Sequence, residues 1–113
     1  MHELGVANEV LNVVLSEAER HAARKVESVS LRVGVLRAIE PEHLSFLFSH
    51  LAHGTLADGA TLDIREEPVR VECAACGVSE ARSMPWECPR CRGSSITTRG
   101  GDSLDIISLE IDV

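Results

Sequence analysis

Apolar residues recur at intervals of three and four along residues 4–25, which predicts an amphipathic α-helix. Its buried stripe consists of Ala7, Leu11, Val14, Ala18 and Ala22, with Val10 beside it. A second helix is predicted to begin near Pro41, because proline suits a first helical turn, and to end at Gly54. The stripe predicted to be buried on this helix consists of Leu44, Leu47, Phe48 and Leu51.

Three further segments predict β-strands. Strict alternation over residues 29–35 places Val29, Leu31, Val33 and Val35 on the core face. Residues 61–65 predict a second strand, and residues 104–113 predict a third. In that last segment one face is expected to carry Ile107, Leu109, Ile111 and Val113.

All four cysteines lie between the second and third predicted strands, within residues 71–100. The apolar final strand needs a sheet to join, and the first 70 residues supply it. The predicted fold class is therefore α+β, with two helices packed on a small three-stranded sheet and an inserted four-cysteine zinc-ribbon module. Residues 1–70 plus 101–113 would form the α+β domain, and residues 71–100 the inserted metal-binding domain.

Composition narrows the class of protein. A chain of 113 residues, 44% of them hydrophobic, fits one small globular domain with an appendage. No apolar run approaches the roughly 18 residues that a membrane helix needs, so no membrane partner is expected. The N-terminus lacks the features of a signal peptide, and we expect a cytoplasmic protein. A net charge of −7 argues against nucleic acid as the main partner.

The strongest chemical signal is a pair of C-x-x-C motifs, Cys73/Cys76 and Cys88/Cys91, separated by eleven residues. This spacing can place four thiolates around one tetrahedral ion. Gly77 and Gly93 are expected to supply the positive φ of the sulfur-bearing turns. A block of about 30 residues buries too little apolar area to fold alone, so the metal must supply much of its stability.

Three chemistries remain open for the cysteines: structural zinc, rubredoxin-like iron, and a dithiol redox pair. No βαβ pattern surrounds either cysteine pair, which argues against the dithiol redox pair. We favour one structural Zn²⁺ per chain. A closed four-sulfur site leaves no position for a substrate and is not expected to be catalytic. Met84, Pro85 and Trp86, between the two motifs, are expected to form the small apolar core of the ribbon.

The first three residues, Met1, His2 and Glu3, have coordination chemistry of their own at a free N-terminus. The α-amine and the amide nitrogen of His2 close a five-membered chelate ring, and that amide and Nδ1 of His2 close a six-membered ring. Three coplanar nitrogens suit Ni(II) or Cu(II). Glu3 can add its backbone nitrogen or an axial carboxylate. Met1 and His2 are expected to precede the first helix and to bury little surface.

Met1-His2-Glu3-Leu4 at the start of a helix, the strand segment Leu31-Arg32-Val33-Gly34, the C-x-x-C pairs and the isoleucine-rich final strand occur together in this chain. In combination they resemble the HypA/HybF family of hydrogenase nickel-incorporation proteins, and the resemblance covers essentially the whole chain. It implies a nickel-binding α+β domain and a protein that is not an enzyme. The implied nickel ligands are Met1 (amine), His2 and Glu3, and the implied zinc ligands are Cys73, Cys76, Cys88 and Cys91.

The resemblance also implies partners and a cargo. Ni²⁺ would be transient cargo, passed with the help of a maturation GTPase to the hydrogenase large subunit or, in some organisms, to urease. Homodimerisation stays open. The rival hypothesis is a zinc-ribbon adaptor with an inert N-terminus, although nucleic-acid-binding ribbons normally present a basic face. A small hydrolase or thiol enzyme lacks a nucleophile–base set once four cysteines bind metal.

Overall fold

The computed structural model describes residues 2–113, all of the chain except Met1. These residues form two α-helices, six strands and one short 3-10 helix. The elements are α1 His2–Arg20, β1 Lys25–Gly34, the 3-10 helix Val35–Arg37, α2 Pro41–Ala52, β2 Thr61–Glu67, β3 Val69–Cys73, β4 Gly77–Ala81, β5 Ile96–Arg99 and β6 Leu104–Asp112. The predicted α+β class is confirmed.

The strands form two sheets of three, in the orders β2-β1-β6 and β4-β3-β5. The final strand, β6, therefore joins the sheet of the first half of the chain, as its apolar sequence predicted. Among residues 2–113, no helix is long and apolar enough to cross a membrane.

The chain divides into two compact units. The helical unit comprises the N-terminal residues through Leu31, Ile39–Arg65 and Asp105–Val113. The cysteine unit comprises Arg32–Ala38 and Glu66–Leu104. The functional boundaries expected from the sequence, at residues 70 and 101, stay a prediction.

Helix α1 packs through the predicted stripe but ends earlier than predicted. The buried residues of the stripe are Ala7, Val10, Leu11, Val14 and Ala18. Ala22 is exposed and lies beyond the helix, with a left-handed φ of 53°. The N–H of Ala22 donates to Glu19 O (3.0 Å) and that of Ala23 to Ala18 O (2.9 Å), the pairing of a Schellman motif. The sequence does not indicate this end of the helix, because Ala22 occupies the left-handed position where glycine is usual.

Strand β1 and helix α2 contribute further buried residues. Val29 and Leu31 are buried as predicted, and so is Val33 further along β1. Val35 departs from the prediction, because it opens the 3-10 helix and is only half-buried. In α2, Leu44 and Phe48 are fully buried. The other predicted stripe residues of α2, Leu47 and Leu51, are half-buried.

The face predicted for β6 is partly wrong. Leu109 and Ile111 are half-buried as expected, but Ile107 is 39% exposed and Val113 is 71% exposed. Ile106 is half-buried instead. The alternation of burial changes phase at Ile107, so a strict period of two along the strand assigned the first half of β6 to the wrong face.

The cysteine unit contains three strands that the sequence pattern did not reveal. Antiparallel β3 pairs with both β4 and β5, and its Val69 and Val71 are fully buried. Trp86 is 86% exposed and Met84 is 46% exposed, so the prediction that they form the ribbon's core is wrong. The two buried valines of β3 replace them in that role.

Gly34 and Gly101 make a close backbone contact within the cysteine unit. A Cβ atom on Gly34 would overlap the carbonyl carbon of Gly101. Hydrogen bonds hold the two segments together: Gly34 N–H donates to Ser103 O (2.8 Å), and Leu36 N–H to Gly101 O (2.7 Å). Because the obstacle is backbone and is fixed by these bonds, a side chain at position 34 cannot be accommodated without moving the main chain.

We therefore expect Gly34→Ala to lower the free energy of unfolding by about 1–3 kcal/mol, the usual cost of overpacking. Gly5→Ala is the matched control, because Gly5 lies on the exposed face of α1 with no atom within 4 Å of an added Cβ. Alanine in a helix should stabilise by about 0.5–1 kcal/mol. Urea unfolding followed by circular dichroism measures both; equal stability of the two variants would contradict the close contact.

Candidate metal centres

The first C-x-x-C motif forms the tight turn between β3 and β4. Cys73 is the last residue of β3 and pairs with Gly77, the first residue of β4. Gly77 has a φ of 83°, as the sequence predicted for this turn. The turn therefore brings Cys76 back toward Cys73, because the antiparallel pairing fixes both of its ends.

The second motif is held by its own backbone hydrogen bonds. Cys88 N–H donates to Gly93 O and Arg92 N–H to Cys88 O, both at 2.8 Å. The positive φ belongs to Arg92 (61°) and not to Gly93, so that prediction is wrong. Gly93 serves another purpose: its N–H donates to Cys91 Sγ at 3.4 Å, and a Cβ there would lie 3.3 Å from that sulfur.

The two turns bring all four predicted cysteines together. Their sulfur atoms lie within 4.8 Å of one another, and Cys73 Sγ lies 3.7 Å from Cys91 Sγ. A tetrahedral ion with metal–sulfur bonds of about 2.3 Å requires sulfur atoms about 3.8 Å apart. A disulfide would require about 2.05 Å. The cluster therefore has the dimensions of a single four-thiolate metal site.

Electrostatics within the cluster also favour a cation. Backbone N–H groups of Cys91 and Arg90 lower the pKa of the Cys88 thiol to about 6, so this sulfur ionises readily. For Cys76, a side-chain hydrogen bond with Cys91 has the largest effect and burial the second largest, and together they raise the pKa of the Cys76 thiol to about 12. Four thiols so close together cannot all ionise unless a positive ion offsets their mutual repulsion.

Two of the three predicted nickel-binding residues, His2 and Glu3, lie at the start of α1. Met1 lies outside the described residues. His2 is the first residue of α1 and is exposed, whereas Glu3 is buried, with 8% of its surface accessible. The expectation that His2 precedes the helix is therefore wrong, since His2 is helical, but its exposed side chain buries little, as expected. Glu3 is also helical and, unlike His2, is part of a packed interface within the helical unit.

Glu3 is connected to α2 across 37 residues of sequence. The N–H of Glu40 donates to Glu3 Oε2 at 3.3 Å. Glu40 in turn caps α2, because its carboxylate accepts from His43 N–H (2.7 Å) and from Glu42 N–H (3.3 Å). Sequence analysis missed this link, since a tertiary hydrogen bond to a backbone N–H leaves no local pattern.

The same hydrogen bonds act on the charge of Glu3. Its own backbone N–H, and then that of Glu40, lower the pKa of the Glu3 carboxyl below its usual range. Glu3 is consequently ionised at neutral pH. It places a negative charge at the N-terminal ends of two helices, where helix dipoles favour one.

Fold and site together define a class: small α+β proteins with a four-thiolate metal site on a ribbon and a histidine at the first position of the opening helix. A family model described as "Hydrogenase/urease nickel incorporation, metallochaperone, hypA" matches residues 1–111. The chain therefore belongs to the HypA family, the nickel metallochaperones of hydrogenase maturation.

Individual relatives align with nearly the whole length of this chain. The hydrogenase maturation factor HypA of Chlorobium limicola is 39% identical over 113 residues, which cover 99% of this chain and 97% of that protein. The hydrogenase maturation factor HybF of Escherichia coli (strain K12) is 33% identical over 99% of this chain and all of that protein. The solution structure of the Ni metallochaperone HypA from Helicobacter pylori superposes with a TM-score of 0.67 at 25% identity, covering 99% of this chain and 98% of that one.

Replacing a cysteine should unfold the metal ribbon locally. We expect Cys73→Ala and Cys91→Ala to lose stoichiometric metal and to disorder β3–β5, because three thiolates cannot complete the tetrahedral shell. The helical signal in circular dichroism should largely persist. Ser79→Ala in β4 is the control, since its buried hydroxyl has no hydrogen-bond partner within the described residues. Unchanged metal content in both cysteine variants would contradict the four-ligand assignment.

Proposed function

We propose that this protein carries Ni(II) at its N-terminus and delivers it during maturation of [NiFe]-hydrogenase. The nitrogen donors are the Met1 amine, the amide and imidazole of His2, and the backbone nitrogen of Glu3. The observation that carries this assignment is the position of His2 as the first residue of α1, with an exposed side chain. Membership of the HypA family supplies the metal and the pathway.

The start of a helix suits this kind of chelation. The first four N–H groups of an α-helix have no acceptor within the helical ladder. Deprotonating the amides of His2 and Glu3 to bind nickel therefore removes no helical hydrogen bond. Such a site can capture a metal and release it while the rest of α1 stays folded, which is what a carrier of transient cargo requires.

The cysteine cluster has a different role in this proposal. It holds one structural Zn²⁺ per chain, because four thiolates at tetrahedral spacing satisfy zinc completely and leave no open position. Rubredoxin-like iron on the same ligands is the competing occupant, and metal analysis of the purified protein distinguishes the two. With its sulfurs fully engaged, this site takes no part in catalysis, and we propose that the protein is not an enzyme.

The partners follow from the pathway. They are a maturation GTPase and the hydrogenase large subunit, and the protein would meet them in the cytoplasm, as a monomer or a homodimer. Urease is a second candidate recipient, because the matching family model is described for both enzymes. The rival adaptor hypothesis, with an inert N-terminus, predicts that nickel has no specific site in this chain.

Nickel titration of the intact protein tests the proposal. His2→Ala removes the imidazole nitrogen, and an N-terminal extension removes the free amine, so either change should abolish tight Ni(II) binding measured by calorimetry. Zinc content should stay constant. His21→Ala, at the C-terminal side of α1, is the matched control and should bind nickel normally. Equal nickel affinity in all of these proteins would refute an N-terminal site and favour the adaptor.

The pH dependence has a definite sign. Nickel displaces protons from the amine, the amides and the imidazole, so its affinity should fall continuously as the pH decreases. Calorimetry at a series of pH values measures this. An affinity that stays constant from neutral pH down to about 5.5 would be inconsistent with a histidine ligand.

A further inference from the structure

The Glu3 side chain has two roles open to it if nickel binds at the N-terminus. Its carboxylate could turn toward the metal as an axial ligand, or it could stay bonded to α2. In the structure Glu3 Oε2 accepts the N–H of Glu40, and the residue is buried. Oε2 could act as a ligand only by leaving the Glu40 N–H, whereas Oε1 could reach the metal while Oε2 stays bonded, so the two oxygens have to be distinguished by experiment.

Leaving Glu40 would be unfavourable for two reasons. Glu40 is the N-cap residue of α2, whose carboxylate already accepts two other N–H groups of that helix. Its own N–H would lose its charged acceptor in a partly buried environment, where unsatisfied donors are costly. The negative charge of Glu3 would also move away from the N-terminal end of the α2 dipole.

We propose that the Glu3 carboxylate is a positioning group for nickel binding, in which its hydrogen bond to Glu40 fixes the first turn of α1 beside the start of α2. This role rests on the N-terminal nickel site proposed above, to which Glu3 contributes only its backbone nitrogen. The fixed first turn presents the N-terminal donors in one orientation, so less conformational freedom is lost when the metal binds. The bond between Glu3 and Glu40 persists in the nickel-bound protein.

Glutamine and alanine at position 3 separate the two roles. The amide oxygen of Glu3→Gln can still accept the Glu40 N–H, but a carboxamide is a much poorer metal ligand than a carboxylate. Glu3→Ala removes both functions. Glu9→Gln is the matched control, because Glu9 lies on an exposed part of the same helix. All four proteins keep the native N-terminus and their zinc.

Two measurements are made on each protein: calorimetric titration with NiCl₂ alone, and hydrogen–deuterium exchange of a peptide containing the Glu40 amide, with and without nickel. We expect Glu3→Gln to bind nickel within about twofold of the wild type and Glu3→Ala about tenfold more weakly. Exchange at Glu40 should be faster only in Glu3→Ala. In the wild type it should not become faster when nickel is added.

Several results would overturn the proposal. Weak nickel binding by Glu3→Gln together with normal protection of Glu40 would show that the carboxylate is itself a ligand. Faster exchange at Glu40 on adding nickel to the wild type would show that the carboxylate leaves α2. Wild-type affinity in Glu3→Ala would show that the bond positions nothing that nickel needs. Absence of nickel binding by the wild type overturns the N-terminal site as well, and is recognisable because Glu9→Gln would then fail in the same way.

Discussion

Four cysteine sulfurs lie within 4.8 Å of one another, a distance at which ionised thiolates repel strongly unless a cation lies between them. This repulsion governs the cysteine unit. Its buried apolar residues on β3 are few, and the exposed Trp86 contributes little to a core, so the metal must supply the cohesion that packing does not. The hydrogen bonds from backbone N–H groups to Cys88 Sγ and Cys91 Sγ fix the turns around such an ion.

The N-terminal region differs from the cysteine cluster in what its proposed metal site requires. A structural metal site is closed and held from all sides, whereas a carrier site must be open and easily emptied. In the nickel site that we propose, an exposed His2 at the first position of α1 would meet that need, because the backbone amides at the start of a helix are not part of its hydrogen-bond ladder. We propose that a tertiary hydrogen bond, from the Glu40 N–H at the start of α2 to the Glu3 carboxylate, keeps this site in a defined conformation. In this proposal the exposed His2 keeps the site accessible, and the neighbouring Glu3 holds it in one conformation.

Much of this could be predicted from the sequence, for identifiable reasons. The helical stripe ending in Ala18, the buried Leu44 and Phe48, and the meeting of the four cysteines all follow from local periodicity or spacing. The misses share a cause, because each depends on contacts that local patterns do not encode. Ala22 ends α1 without the usual glycine, and β6 changes burial phase at Ile107. The bond between Glu3 and Glu40 joins residues 37 positions apart.

We propose that the two metals occupy chemically different sites in one chain: zinc on four sulfurs, nickel on N-terminal nitrogens. X-ray absorption spectroscopy of the full chain, with a native N-terminus and loaded with one equivalent of each metal, tests it most directly. We expect four sulfur scatterers at about 2.3 Å around zinc. Around nickel we expect only nitrogen or oxygen neighbours. Sulfur scattering at the nickel edge would contradict the account, because it would place the cargo in the cysteine cluster.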